Sequence, residues 1–197
     1  MKNAFLRIAQ GFFWVLLDLR LFGIDCIPDV IGYVLIWSAI SMLGNEHAPY
    51  RKALPFAIGL TFLSIFEVYP FLTVVEQSYP STIPALLFQT IQSLLLLFMF
   101  RIILQELQNQ LLQAKLRSFA RQVHSRNQFF TFVTAAGLIY MPFTLNLSEL
   151  SQLYGSLLLI IMHIIAMILL WITFRKAAKL LPVEPKPPLA EHDIMEL

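Results

Sequence analysis

Residues 153–174 read LYGSLLLIIMHIIAMILLWITF, a run without an aspartate, glutamate, lysine or arginine. Coiled as an α-helix it reaches about 33 Å at 1.5 Å per residue. That is enough to cross a bilayer hydrocarbon core about 30 Å thick. A helix is also the one single-segment conformation that satisfies its own backbone polar groups where no water is available.

Five further apolar runs precede it, at residues 4–20, 28–44, 53–75, 82–104 and 129–147, separated by polar breaks. The sequence therefore predicts an all-α polytopic membrane helix bundle of about six transmembrane helices over residues 1–180. Residues 181–197, LPVEPKPPLAEHDIMEL, are rich in proline and end acidic, which predicts a disordered tail. Composition agrees, with 58% hydrophobic and 13% charged residues in a chain of 197, against about a quarter charged in soluble domains.

The first two runs are short, about 25 Å each, so a re-entrant hairpin is the alternative to two spans. Lys and Arg decide between these, because short loops retain them on the cytoplasmic side. Lys2 and Arg7, Arg51 and Lys52, Lys115 to Arg126, and Arg175 to Lys179 all fall on one side if there are six spans, and Arg20 alone lies in the alternate breaks. Six spans with both termini inside is the expected topology. The basic start and apolar stretch of residues 1–20 resemble a secretory leader, but Asp18 and Arg20 stand where a small-residue cleavage site belongs, so the segment is expected to be retained.

Two features between spans matter for function. Residues 106–127 place Leu112, Leu116, Phe119 and Val123 at helical spacing opposite Lys115, Arg117 and Arg121. This predicts a basic amphipathic extension of the fourth helix, an ordinary positive-inside loop or a surface for a membrane-protein partner. YPFLT at residues 69–73 and YMPFTL at 140–145 put Pro70 and Pro142 near the outer ends of spans. Each proline would free a carbonyl, at Phe66 and Leu138, and kink its helix.

An ionisable group at a span centre costs about 2.5 to 3.5 kcal/mol on insertion scales. Glu67 and His163 are such groups, at depths of about 12 and 15 Å from the outer ends of their spans. Gln89, Gln92, Ser38 and Tyr140 fall at similar depth. This intramembrane polar layer of Glu67, Gln89, Gln92 and His163 is a candidate binding or proton site, or else interhelical hydrogen-bond glue. Asp18, Asp25 and Asp29 lack the regular spacing of a cation loop.

Catalytic signatures are missing. The sequence holds no H-E-x-x-H, G-x-S-x-G, P-loop or G-x-G-x-x-G, and Ser156 and His163 lie two turns apart on one helix. Cys26 is the single cysteine, which excludes an internal disulfide and a cysteine metal cage. A net charge of +2, distributed between apolar runs, argues against nucleic acid. No cofactor, metal or catalytic residue is expected, and the bilayer itself is the expected environment.

The stretch GIDCIPDVIGYVLIW, at residues 23–37, resembles a box found in small multi-pass membrane proteins of Gram-positive bacteria that have no assigned activity. The matching positions are Asp25, Pro28, Asp29, Gly32 and Tyr33, with Cys26 in place of an aliphatic residue. The resemblance implies a bacterial cytoplasmic membrane location and no catalytic residue. Physically, Pro28 and Asp29 suit a helix start at an outer turn, Gly32 permits close packing on the preceding span, and Tyr33 suits an interfacial aromatic belt.

Three functional expectations follow, of which an intramembrane enzyme is the third. The first is a non-catalytic membrane protein that binds or regulates another membrane component through Lys115, Arg117, Arg121 or the C-terminal tail. The second is a small solute or ion transporter, or its substrate-binding subunit, that uses the Glu67, Gln89, Gln92 and His163 layer.

Overall fold

The computed structural model describes residues 1–16, 20–21, 24–25, 29–67 and 83–181. They form α1 (Lys2–Leu16), α2 (Asp29–Glu46), α3 (Leu54–Glu67), α4 (Ile83–Gln113), α5 (Arg117–Phe143) and α6 (Glu149–Leu180). Single 3-10 turns cover Ala48–Ala53 and Thr144–Asn146. Between α1 and α2 the backbone of Arg20 pairs with Asp25 and that of Leu21 with Ile24. Apart from that short pairing, the described residues are helical, with six α-helices. Two of them, α4 over Leu86–Gln113 and α6 along its length, are long and apolar enough to cross a membrane, with mean hydropathies of 1.9 and 2.8.

Each helix buries one stripe at the 3.6-residue period. In α1 it is Ala4, Phe5, Ile8, Ala9 and Phe12. In α4 it is Leu96, Met99, Phe100, Ile103, Leu107 and Leu111. The stripes bring the helices together in sequence order, since α1 packs on α2, α2 on α3, α3 on α4, α4 on α5, α5 on α6 and α6 back on α1. This order closes a ring. Its interior is filled by aromatic rings: Phe100 lies 4.5 Å from Phe12, 5.6 Å from Phe130 and 6.2 Å from Phe174, centroid to centroid. Edge-on and tilted ring pairs of this kind add about 0.5 to 1.5 kcal/mol each beyond the area they bury.

Polar contacts tie successive helices at one end. The Met1 ammonium pairs with Glu46 at 2.6 Å, Tyr50 donates to Gln110 at 3.1 Å, and Lys176 donates to Gln122 at 3.1 Å. That end thus gathers the starts of α1, α3 and α5 and the ends of α2, α4 and α6, so neighbours run antiparallel. At the opposite end the Tyr140 hydroxyl donates to the Gln152 carbonyl at 3.1 Å, across the α5–α6 turn. Ser148 caps α6 there by accepting from the Ser151 N–H at 3.4 Å, and Glu149 lies in the positively polarised first turn.

Helices α1 and α2 approach closely at a pair of glycines. A Cβ built on Gly11 would meet the Gly32 carbonyl oxygen at 2.5 Å, and one on Gly32 would meet Val15 Cγ2 at 2.5 Å. Gly32 therefore packs on α1 as its place in the sequence predicts. Tyr33 differs from expectation. It is 3% exposed and belongs to the core, because the turn that places Gly32 against α1 also turns its neighbour inward.

The segment at residues 106–127 also differs from expectation. It is not one amphipathic helix but a helical hairpin, with α4 ending at Gln113 and α5 beginning at Arg117. The turn is a Schellman motif: the Leu116 N–H reaches the Leu111 carbonyl at 2.8 Å and the Lys115 N–H reaches that of Leu112 at 3.1 Å. Lys115 occupies the left-handed position at φ 60°, where glycine is usual. With the chain reversed there, Leu111, Phe119 and Val123 face the core while Leu112 is exposed. Pro142 lies in the last turn of α5, which stops at Phe143. Pro70 and the tail from residue 182 lie outside the described residues.

Two substitutions test this packing. Gly32→Leu has no room against the α1 backbone and should destabilise the protein by about 1 to 3 kcal/mol, the usual cost of overpacking. Lys115→Gly relieves the left-handed backbone and should stabilise it by about 1 kcal/mol. Thermal unfolding of both variants in one detergent checks the two signs, and an unchanged melting point for Gly32→Leu would refute the close crossing.

Candidate functional site: a polar groove between α4 and α5

On the side of α4 opposite its buried stripe lie Arg101, Gln105, Gln108 and Asn109, at spacings of four, three and one. On α5, His124, Asn127, Gln128 and Thr131 repeat at three, one and three. Both sets share a helix face. The antiparallel hairpin sets them opposite each other, and together they line a groove of about 630 Å³ that ends at Phe132 and Ala135. His124 Nδ1 and Gln108 Oε1 meet at 3.2 Å across it, and Asn109 Nδ2 donates to Glu106 at 3.4 Å along α4.

Two groups in the groove lack partners. Arg101 is exposed and makes no hydrogen bond or ion pair among the described residues. Asn127 Oδ1 is buried with no hydrogen-bond partner among the described residues. Buried acceptors are nearly always paired in native proteins, so an orphan inside a groove marks where a donor is missing.

Arg126 shows the contrast. Its Nη1 donates to Thr173 Oγ1 at 2.7 Å and to the Leu169 carbonyl at 3.3 Å, which ties α5 to α6. Partial burial pushes its guanidinium pKa down, yet the charge is held by these acceptors. Tyr50, fully buried beneath the α4 end, has its phenol pushed up by burial and then by the Glu106 carboxylate, so it stays a neutral donor to Gln110.

Among the described residues no hydrogen bond joins Gln89, Gln92 and His163 of the polar layer expected from the sequence. Gln89 is exposed and Gln92 half-buried on α4, while His163 is half-buried on α6 with its ring 6.2 Å from that of Phe130. Glu67 closes α3 and its side chain lies outside the described residues. Ser38 accepts from Arg7 at 3.1 Å, which makes it part of the α1–α2 contact. Lys115, Arg117 and Arg121 are exposed at the hairpin tip. In the outer-turn box, Asp25 is described through its backbone pairing, Pro28 lies outside the described residues, and Asp29 opens α2.

No known protein family, curated protein or solved structure matches the chain. The geometry therefore carries the functional argument alone.

The sequence contains a signal for the groove that charge counting passes over. Two stripes of amides at helical spacing, one on either side of a turn, must face each other once the chain reverses at Lys115. Arg126 supplies a test of which arginine is structural. Arg126→Leu should lower stability by about 1 to 3 kcal/mol and Thr173→Val by about 1. The double variant should cost less than their sum, as read by thermal unfolding; strict additivity would show that the two side chains do not interact.

Proposed function

We propose that the chain is a multi-pass protein of a bacterial cytoplasmic membrane, with six spans and both termini inside. It acts by binding another membrane component in the α4–α5 groove, without catalysing a reaction. One observation carries the membrane placement: every helix exposes large apolar side chains, among them Phe13 on α1, Trp37 on α2, Phe62 on α3, Phe98 on α4, Phe132 on α5 and Ile161 on α6. Soluble monomers rarely expose more than a few hundred Å² of contiguous apolar surface. In lipid the same side chains meet hydrocarbon.

Charge supports the same orientation. The exposed cations Lys2, Arg51, Lys52, Lys115, Arg117, Arg121 and Arg175 belong to the helix ends gathered where Met1 meets Glu46. An excess of basic residues at one end is the mark of a cytoplasmic face. The other described end carries Glu149 and the tyrosines Tyr140 and Tyr154. The groove then opens sideways at the inner bilayer interface, and its amides and guanidinium are suited to holding a polar group by hydrogen bonds. The resemblance of residues 23–37 to the bacterial box is consistent with this placement.

Cysteine labelling tests the topology. In a Cys26→Ser background, a cysteine at Arg117 should react with a membrane-impermeant maleimide only after the membrane is opened. One at Glu149 should react in intact cells. Labelling of both from the same side would overturn the six-span arrangement.

A further inference from the structure

The groove does not end at Phe132. Phe132 and Ala135 also line an apolar cleft of about 580 Å³ that continues along α5 past Ile139 to Phe143. From Phe132 to Phe143 the helix rises about 16 Å, close to half the thickness of a hydrocarbon core. A polar compartment and an apolar one thus lie end to end on one face of the protein.

Arg101 stands at their junction. The antiparallel register that brings Gln108 to His124 sets Arg101 near the level of Thr131, one residue before Phe132. Its guanidinium is exposed, and no carboxylate is among the described lining residues of the groove. Beyond it, toward the hairpin tip, lie the amides of Gln105 and Gln128 and the orphaned acceptor Asn127 Oδ1.

We propose that this composite site binds a membrane lipid with an anionic, hydroxyl-bearing headgroup. The phosphate diester sits on Arg101, headgroup hydroxyls reach the Asn127 and Gln105 amides, and one acyl chain lies in the cleft along Ile139 and Phe143. Each alternative occupant leaves something unmet. A zwitterionic headgroup sets a cation beside Arg101, a purely apolar occupant leaves Asn127 Oδ1 without a donor, and free phosphate leaves the cleft empty. A guanidinium and a phosphate match in charge and in fork geometry, and their hydrogen bonds are about twice as strong as neutral ones.

This inference rests on the proposed membrane placement and groove. Its test uses the full-length protein, delipidated in detergent and titrated with phosphatidylglycerol, phosphatidylcholine or glycerol phosphate, with binding read by native mass spectrometry and thermal shift. Phosphatidylglycerol should bind about tenfold more tightly than phosphatidylcholine, and glycerol phosphate should not compete at matched concentration. Arg101→Gln should erase the preference, Asn127→Leu should reduce it, and Ala135→Trp, which fills the cleft mouth, should weaken both lipids. Arg117→Gln, at the exposed tip, should change nothing. Equal binding of the two lipids, a preference that survives Arg101→Gln, or one lost with Arg117→Gln overturns the proposal. Effective competition by glycerol phosphate also overturns it, because the ligand would then be a soluble phosphate. If the labelling pattern holds while the lipids fail to discriminate, the lipid assignment alone falls; if the labelling pattern fails, the membrane placement falls with it.

Discussion

Phe100 touches the rings of Phe12, Phe130 and Phe174, and so one side chain joins α1, α4, α5 and α6. A ring of six helices closed in sequence order has an interior that must be filled, because an empty cavity costs roughly 20 cal/mol per Å² of its surface. Aromatic side chains fill it with few rotatable bonds. They also fix the rotation of α4 about its own axis. With Phe100, Ile103, Leu107 and Leu111 turned inward, Arg101, Gln105, Gln108 and Asn109 have to face outward. The position of the groove is thus a consequence of core packing.

The second determinant is the turn at Lys115. A Schellman motif reverses the chain within three residues, so α5 returns along α4 with little freedom in register. A longer or looser connection would let the amide stripes slide past each other. The cost is a lysine held in left-handed backbone, and it is met by two hydrogen bonds to carbonyls that would otherwise be unsatisfied at the helix end. Contacts at the bundle end add less. The Met1–Glu46 pair is partly exposed, and such pairs contribute about 0 to 1 kcal/mol.

The presence or absence of a partner among the described residues divides the arginines by role. Arg126 donates from Nη1 to both Thr173 Oγ1 and the Leu169 carbonyl and fastens α5 to α6. Arg7 contacts Ser38 and Met42 and fastens α1 to α2. Arg101 fastens nothing among the described residues, although it lies on the helix that anchors the core. In the proposed membrane setting an uncommitted guanidinium at the interface is available for a ligand, and its placement between a polar groove and an apolar cleft gives it a specific one to meet.

Residue patterns alone were sufficient for the helical class, because apolar periodicity is a local property of the chain. Gly32 against α1 was legible for the same reason. Helix ends were less so: α5 begins at Arg117 and not near residue 129, since the polar residues between them continue the buried stripe of Phe119 and Val123, which becomes visible only when their partner helix is known. Matching depth could not say whether Gln89, Gln92 and His163 meet, since depth along an axis says nothing of rotation about it, and rotation leaves Gln89 exposed while Gln92 and His163 are half-buried. What tertiary structure alone decided was which faces meet. The groove exists because the core turns one side of α4 and α5 inward and the hairpin turn brings their remaining polar sides together.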